Sequence, residues 1–182
     1  MLQLMLLRHA KSSWDNPDPD DIDRPLLERG KQMAKALGSE MRELGLLPGL
    51  AICSPAKRAR QTWEIVSAQL ETSPRTMIDE AIYDFGDGER LLKFVRQQTK
   101  TSNPLILIGH NPSLEKLARR LVNAGDREAR DRLDHKFGTA ALVVIHFNVP
   151  SWQDIVEGGT LIHFIRPKHV ADEVQSARPK AK

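Results

Sequence analysis

The chain has 182 residues, 40% of them hydrophobic and 28% charged, with a single cysteine. At roughly 150 residues per domain this is one domain with a short extension; the composition excludes wholesale disorder and fibrous classes, and Cys53 alone excludes an internal disulfide and fits a reducing compartment. The net charge of +3 is local, because Arg166–Lys182 holds five basic and two acidic residues and leaves 22 of each sign before it, so residues 1–165 read as a neutral domain and 166–182 as a basic, solvated tail rather than a nucleic-acid footprint.

Met1–Leu7 is apolar but lacks a preceding basic region and runs straight into Arg8-His9, so it reads as neither a signal core nor an anchor. No apolar run approaches the ~20 residues of a membrane helix. The expectation is a cytoplasmic protein with neither membrane nor nucleic acid as partner. Leu4–Leu7 opens the chain as a strand, and the acidic run Asp15–Asp23 follows as a solvated loop. A calcium loop would need Gly at its sixth position, where counting from Asp18 gives Asp23. Met33, Ala34, Leu37, Met41 and Leu44 recur at helical spacing, and Leu50–Cys53 is a second strand. Ala59, Trp63, Val66 and Leu70 mark a second helix, and Leu91, Leu92 and Val95 a third over about Glu89–Gln98. Leu105–Ile108 is a strand, Leu114, Leu117, Ala118 and Leu121 form a helical stripe, and Gly125–Lys136 is a charged, exposed stretch. Ala140–Phe147 is a further strand and Leu161–Ile165 an edge strand. Strands apolar on successive residues are buried on both faces, as in a parallel sheet covered by helices. The alternation of strand and helix predicts a three-layer α/β fold.

Two strand ends share a design. Cys53 is followed by Ser54-Pro55 and a helix, Ile108 by Gly109-His110-Asn111-Pro112 and a helix. Ser54 and Asn111 suit the N-cap, Pro55 and Pro112 the first helical position. Each junction aims a helix N-terminus at the carboxyl edge of the sheet, where open α/β sheets bind ligands and where an anion is favoured. Arg8-His9 arrives at the same edge after the first strand. Arg8, His9, Arg58 and His110 would then converge, a concentration of positive potential that suits a dianion such as phosphate. Arginine grips phosphate oxygens in pairs, and a neutral imidazole can attack phosphorus and carry the phosphoryl group.

The segments Leu6-Leu-Arg8-His9-Ala10, Ser54-Pro-Ala-Lys-Arg58-Ala-Arg-Gln-Thr62 and Gly109-His110-Asn111 resemble the three signatures of the histidine phosphatase superfamily, with its phosphoglycerate-mutase-like fold. Arg8-His-Ala-Lys-Ser-Ser-Trp14 and Asp23-Arg-Pro-Leu26 with Gly30 are similar to the small SixA-type phosphohistidine phosphatases. The match runs from Leu4 to at least Ser113. The resemblance implies that His9 is the nucleophile and that Arg8, Arg58 and His110 hold the phosphoryl oxygens. It implies a general acid near the middle of the chain, for which Asp84 is the candidate and Glu80 the second; Asp84 would also activate the water of the second step. The family's usual Gly after Arg-His is Ala10 here, and Leu27 stands where many relatives have Thr as a helix cap. No cofactor is implied.

Lys11, Ser12 and Ser13 follow as a loop at the pocket mouth, with Ser12 the candidate for substrate contact. His135, His146, His163 and His169 show no spacing that suits zinc and read as structural or solvent-facing. Cys53 is no rival nucleophile: a cysteine phosphatase needs Cys-x5-Arg, whereas Arg58 and Arg60 fall with four and six residues between, and a cysteine ending an apolar strand reads as buried and inert. The expected activity is a phosphatase working through phospho-His9, most naturally on phosphohistidine of a protein. A small-molecule phosphomonoesterase and a non-catalytic phosphohistidine-binding module are the rivals, and the oligomeric state stays open. A phosphoramidate such as phosphohistidine can release a neutral imidazole, an easier leaving group than an alkoxide, so a weak acid signal favours P–N over P–O cleavage.

Overall fold

The computed structural model describes residues 1–13 and 20–167. Trp14, the first part of the acidic run, His169 and nearly all of the basic tail lie outside the described residues. In chain order the elements are β1 (Leu2–Arg8), α1 (Glu28–Glu43), β2 (Leu50–Cys53), α2 (Lys57–Ser67), β3 (Arg75–Ile78), α3 (Glu89–Arg96), β4 (Leu105–Gly109), α4 (Ser113–Leu121), β5 (Val122–Gly125), α5 (Arg127–His135), β6 (Leu142–Phe147) and β7 (Gly159–Ile165).

Among the described residues, seven strands form one sheet in the order β3-β2-β4-β1-β6-β7-β5. β1, β2, β3 and β4 pair in parallel, β5 is parallel to β7, and β6 alone runs against its neighbours β1 and β7. The sheet is therefore mainly parallel, as its apolar strands required. Alternation along β1 shows why those strands carry no polar face. Leu4 and Leu6 join the core under α3, α4 and α5, while Met5 and Leu7 join the core under α1 and α2. All four are fully buried, each such aliphatic side chain contributing roughly 1.5–3 kcal/mol of transfer free energy.

Around the sheet, the described residues differ from the sequence expectation at β7, β3 and α5. β7 is not an edge strand: β5, which the apolar pattern did not signal, covers its outer side. β3 was likewise unsignalled, and all four of its residues are exposed. The charged stretch Gly125–Lys136 contains α5, capped by the Asp126 carboxylate accepting from the Ala129 N–H at 2.9 Å and holding Leu133 against the core.

Candidate active site

β2, β4 and β1 are adjacent, parallel and in register, so their carboxyl ends finish side by side. Arg8 pairs with Gly109, and Cys53 with Ile108. The next residue of each strand is therefore His9, His110 and Ser54. The His9 N–H donates to the Gly109 carbonyl at 3.1 Å and the Ser54 N–H to the Ile108 carbonyl at 2.9 Å, extending the ladder one step past the strands. The rings of His9 and His110 stand 5.2 Å apart. Arg58 enters from the first turn of α2.

These side chains wall a cavity of about 310 Å³ together with Lys11, Ser12, Asp21, Arg24, Phe85, Asn111 and Thr139. Among the described residues, four cations, Arg8, Lys11, Arg24 and Arg58, face it with one carboxylate, that of Asp21. The balance suits an anion. The Nε atoms of Arg8 and Arg58 and the Nδ1 of His110 are buried without a partner. Unmatched buried polar groups are rare unless a site uses them.

His9 is 8% exposed, and its Nδ1 lies 2.7 Å from the Ala10 carbonyl. A carbonyl only accepts, so Nδ1 carries the proton and Nε2 keeps its lone pair. Burial takes the His9 pKa down to about 3; the Ala10 hydrogen bond works the other way, and the Arg58, Arg8 and Arg24 charges lower it further. The ring is thus neutral at pH 7. His110 is taken down to about 2, again by burial first, then by His9 and Arg58. Its Nε2 meets the Ser54 hydroxyl at 2.8 Å.

The helix starts differ from the sequence reading. α2 begins at Lys57 after Ala56, which has extended backbone angles, so Pro55 stays in the loop. Ser54 Oγ accepts from the Ala56 N–H at 3.3 Å and is committed to His110. α4 begins at Ser113 with Pro112 as its N-cap. The Asn111 amide instead donates to Glu115 at 2.8 Å and to the Phe137 carbonyl at 2.9 Å, the same carbonyl that holds Arg8 Nη1 at 2.8 Å. Asn111 therefore fixes the arginine side of the cavity. α1, lacking a side-chain cap at Leu27, is held by the Leu27 N–H donating to the Lys11 carbonyl at 3.0 Å.

Neither acidic candidate is among the described residues that line the cavity. Asp84 is half-buried, its carboxylate accepts the Gly86 N–H at 3.3 Å, and its carbonyl accepts the Ser113 hydroxyl. Glu80 is exposed in a short 3-10 turn. The carboxylate that does line the cavity is Asp21, which the sequence reading left in a solvated loop. It contacts Arg58 Nη2 and Arg24 Nη2 at 2.8 Å each and accepts the Tyr83 hydroxyl at 2.7 Å. Partial burial works to raise the Asp21 pKa, but the hydrogen bonds from Tyr83 and Arg58 and the nearby charges take it below its ordinary value. Ser12 is on the wall, buried, and bridges to Leu26; Ser13 accepts from Arg24. Phe85 and Thr139 are wall residues that carried no signal of their own, whereas Arg24 lies inside the Asp23-Arg-Pro-Leu26 segment and Asp21 two residues before it, neither of them singled out as a site residue.

Cys53 is fully buried and its thiol is pushed up to about 12 by burial, which leaves it un-ionised. His146 pairs with Gln3 at 2.9 Å. Among the described residues, no three His, Cys, Asp or Glu side chains gather to hold a metal, and no helix is long and apolar enough to cross a membrane.

The sequence profile of the histidine phosphatase superfamily (branch 1) matches residues 4–149. An uncharacterized chloroplastic protein of Arabidopsis thaliana is 32% identical over 130 residues, which is 67% of this chain and 60% of that protein, so the chain spans less than two thirds of it. A Mycobacterium leprae protein is 28% identical over 167 residues, covering 89% of this chain and all of its own. Among solved structures, a protein of Agrobacterium tumefaciens provisionally named phosphohistidine phosphatase SixA superposes with a TM-score of 0.76 at 28% identity, covering 92% of this chain and 99% of that one. The protein histidine phosphatase SixA complexed with tungstate shares the fold, with a TM-score of 0.73 at 19% identity over 91% and 97% of the two chains. With Arg8 and two imidazoles at the carboxyl ends of adjacent strands and Arg58 entering from α2, the chain belongs to the histidine phosphatase superfamily, in its SixA-type group, and is a phosphatase.

Proposed function

We propose that the chain removes phosphoryl groups from phosphohistidine on a protein, in two steps through phospho-His9. Arg8, Arg58 and His110 hold the phosphoryl oxygens, and Ser12 lies at the entrance. His9 Nε2 attacks phosphorus, the P–N bond of the substrate breaks, and its electron pair returns to the departing imidazole. His9 then carries the phosphoryl group on Nε2 and a proton on Nδ1, and the Ala10 carbonyl stabilises that cationic ring. Water attacks next; dihydrogen phosphate departs and His9 returns to its neutral form with Nδ1–H intact.

The observation that carries the phosphohistidine reading is the state of the cavity's acid. Asp21 is bound by two guanidinium groups and a hydroxyl and its pKa lies below the ordinary carboxyl value, so it has no proton to give at pH 7. Asp84 is turned to Gly86. An alkoxide leaving group needs a proton donor, whereas a phosphorylated imidazole protonated on its second nitrogen departs neutral. The name carried by the Agrobacterium relative points the same way. A competition between a phosphohistidine protein and a panel of phosphate esters tests this: kcat/KM should favour the phosphohistidine protein by at least a hundredfold over alkyl esters. Equal values would overturn the reading, and a protein that binds phosphohistidine without turnover would be a binding module.

A further inference from the structure

Among the cavity's residues, Phe85 has no polar group to offer a phosphate, and Asp21 fixes Arg58 but opposes the anion by its own charge. Phe85 is 47% exposed, a large apolar ring on the wall of a cationic cavity. Asp21 repels a dianion and weakens the hold of Arg58 on it by sharing that guanidinium. The two are physically joined. The Tyr83 hydroxyl donates to Asp21 Oδ2 at 2.7 Å, and its ring meets Phe85 edge-on with centroids 5.0 Å apart. Tyr83 and Phe85 also pack on His110, at 5.3 and 5.0 Å. The linked set thus borders the phosphoryl pocket at His110, and it offers a flat apolar surface next to a carboxylate. That pairing matches a flat ring that carries positive charge: the apolar face takes the ring, and the carboxylate takes the charge or its N–H.

We propose that Phe85 and Asp21, joined through Tyr83, form a leaving-group subsite that takes the protonated imidazole of phosphohistidine, with the ring against Phe85 and the N–H of the nitrogen that bears no phosphoryl group donated to the Asp21 carboxylate. The proposal rests on the phosphohistidine reading above and deepens it. A proton held on the second nitrogen makes the ring a cation; when the P–N bond breaks, the electron pair goes to the phosphorylated nitrogen and a neutral imidazole departs. The Asp21 carboxylate takes no proton in this step. It selects the protonated ring, which is the form that departs most readily. An aryl ester would use the Phe85 face alone, and an alkyl ester neither feature.

The test compares kcat/KM on three substrates, a phosphohistidine peptide, p-nitrophenyl phosphate and a phosphoserine peptide, for wild type, Phe85→Leu, Phe85→Tyr and Asp21→Asn, each first shown to melt cooperatively. Phe85→Leu should lower the phosphohistidine-to-phosphoserine ratio and the aryl-to-phosphoserine ratio about tenfold each, the scale of a lost ring contact. Phe85→Tyr should restore both to within threefold. Asp21→Asn should lower the phosphohistidine-to-aryl ratio about tenfold, because the aryl ester has no N–H to give. Loss of activity on all three substrates in equal proportion in Phe85→Leu and Asp21→Asn would mean that both residues serve the phosphoryl pocket alone, and would overturn the subsite. A wild-type preference for phosphohistidine that survives both variants would contradict the subsite while leaving the phosphohistidine reading standing. No preference in the wild type would contradict both.

Discussion

The two nitrogens of His9 have different work. Nδ1 is committed to the Ala10 carbonyl at 2.7 Å, which fixes the tautomer and leaves the Nε2 lone pair free for the attack proposed above. Arg58, 1% exposed and donating to both the carboxylate and the carbonyl of Asp21, is held before any phosphate arrives. Such preorganisation is where catalytic electrostatics act most strongly. Replacing Arg58 by Ala should lower kcat by roughly 10²–10³, the scale of one lost charge donor, measured at saturating substrate; a loss confined to KM would mean that Arg58 only assists binding. Arg8, His9, Arg58 and His110 were legible because each lies at or near the end of an apolar run in a recognisable signature. Asp21 was not. It sits among acidic residues that look solvated, and only the folded loop brings it against Arg58, thirty-seven positions away in the chain.

At the level of elements, the site depends on how closely α1 approaches the loop after β1. A Cβ at Gly30 would lie 2.1 Å from the Lys11 carbonyl oxygen, and the Leu27 N–H donates to that same oxygen. The approach is backbone on backbone and has no flexible side chain to give way. Gly30→Ala should therefore push the Lys11–Ser12 loop outward, destabilise the protein by about 1–3 kcal/mol as overpacking does, and lower kcat/KM. Thermal melting and turnover of the same sample check this, and an unchanged Tm would show that the helix slides without cost. β1, β2, β4 and β6 were legible because burial on both faces leaves runs of apolar residues. β3 is an exposed edge, and β5 alternates between half-buried and exposed, so neither left such a run. α5 escaped notice because Leu133 is its one buried residue, too narrow a stripe to set a period.

Across the molecule, the neutral imidazoles of His9 and His110 tie stability to pH. Their folded values, about 3 and about 2, lie below the roughly 6.5 of an unfolded histidine. Below pH 6.5 the unfolded chain therefore binds protons that the folded chain refuses, and stability is present above that point and falls as pH drops toward 3. Each imidazole should contribute up to about 1.4 kcal/mol per pH unit within that window. Urea midpoints at pH 7 and pH 5 should show the decline, and His110→Asn should reduce its slope; an identical slope would mean that His110 is charged in the folded protein. Charge on this scale acts by position rather than by total: the +3 excess lies in residues 166–182 of the sequence, while among the described residues the cavity gathers four cations around one carboxylate.

Covalent transfer to His9 is most directly read by rapid-quench labelling with a radiolabelled phosphohistidine protein. The labelled phosphoenzyme should survive alkali, be lost in acid, and be absent from His9→Ala. A label stable to acid, or one that persists in His9→Ala, would contradict that transfer.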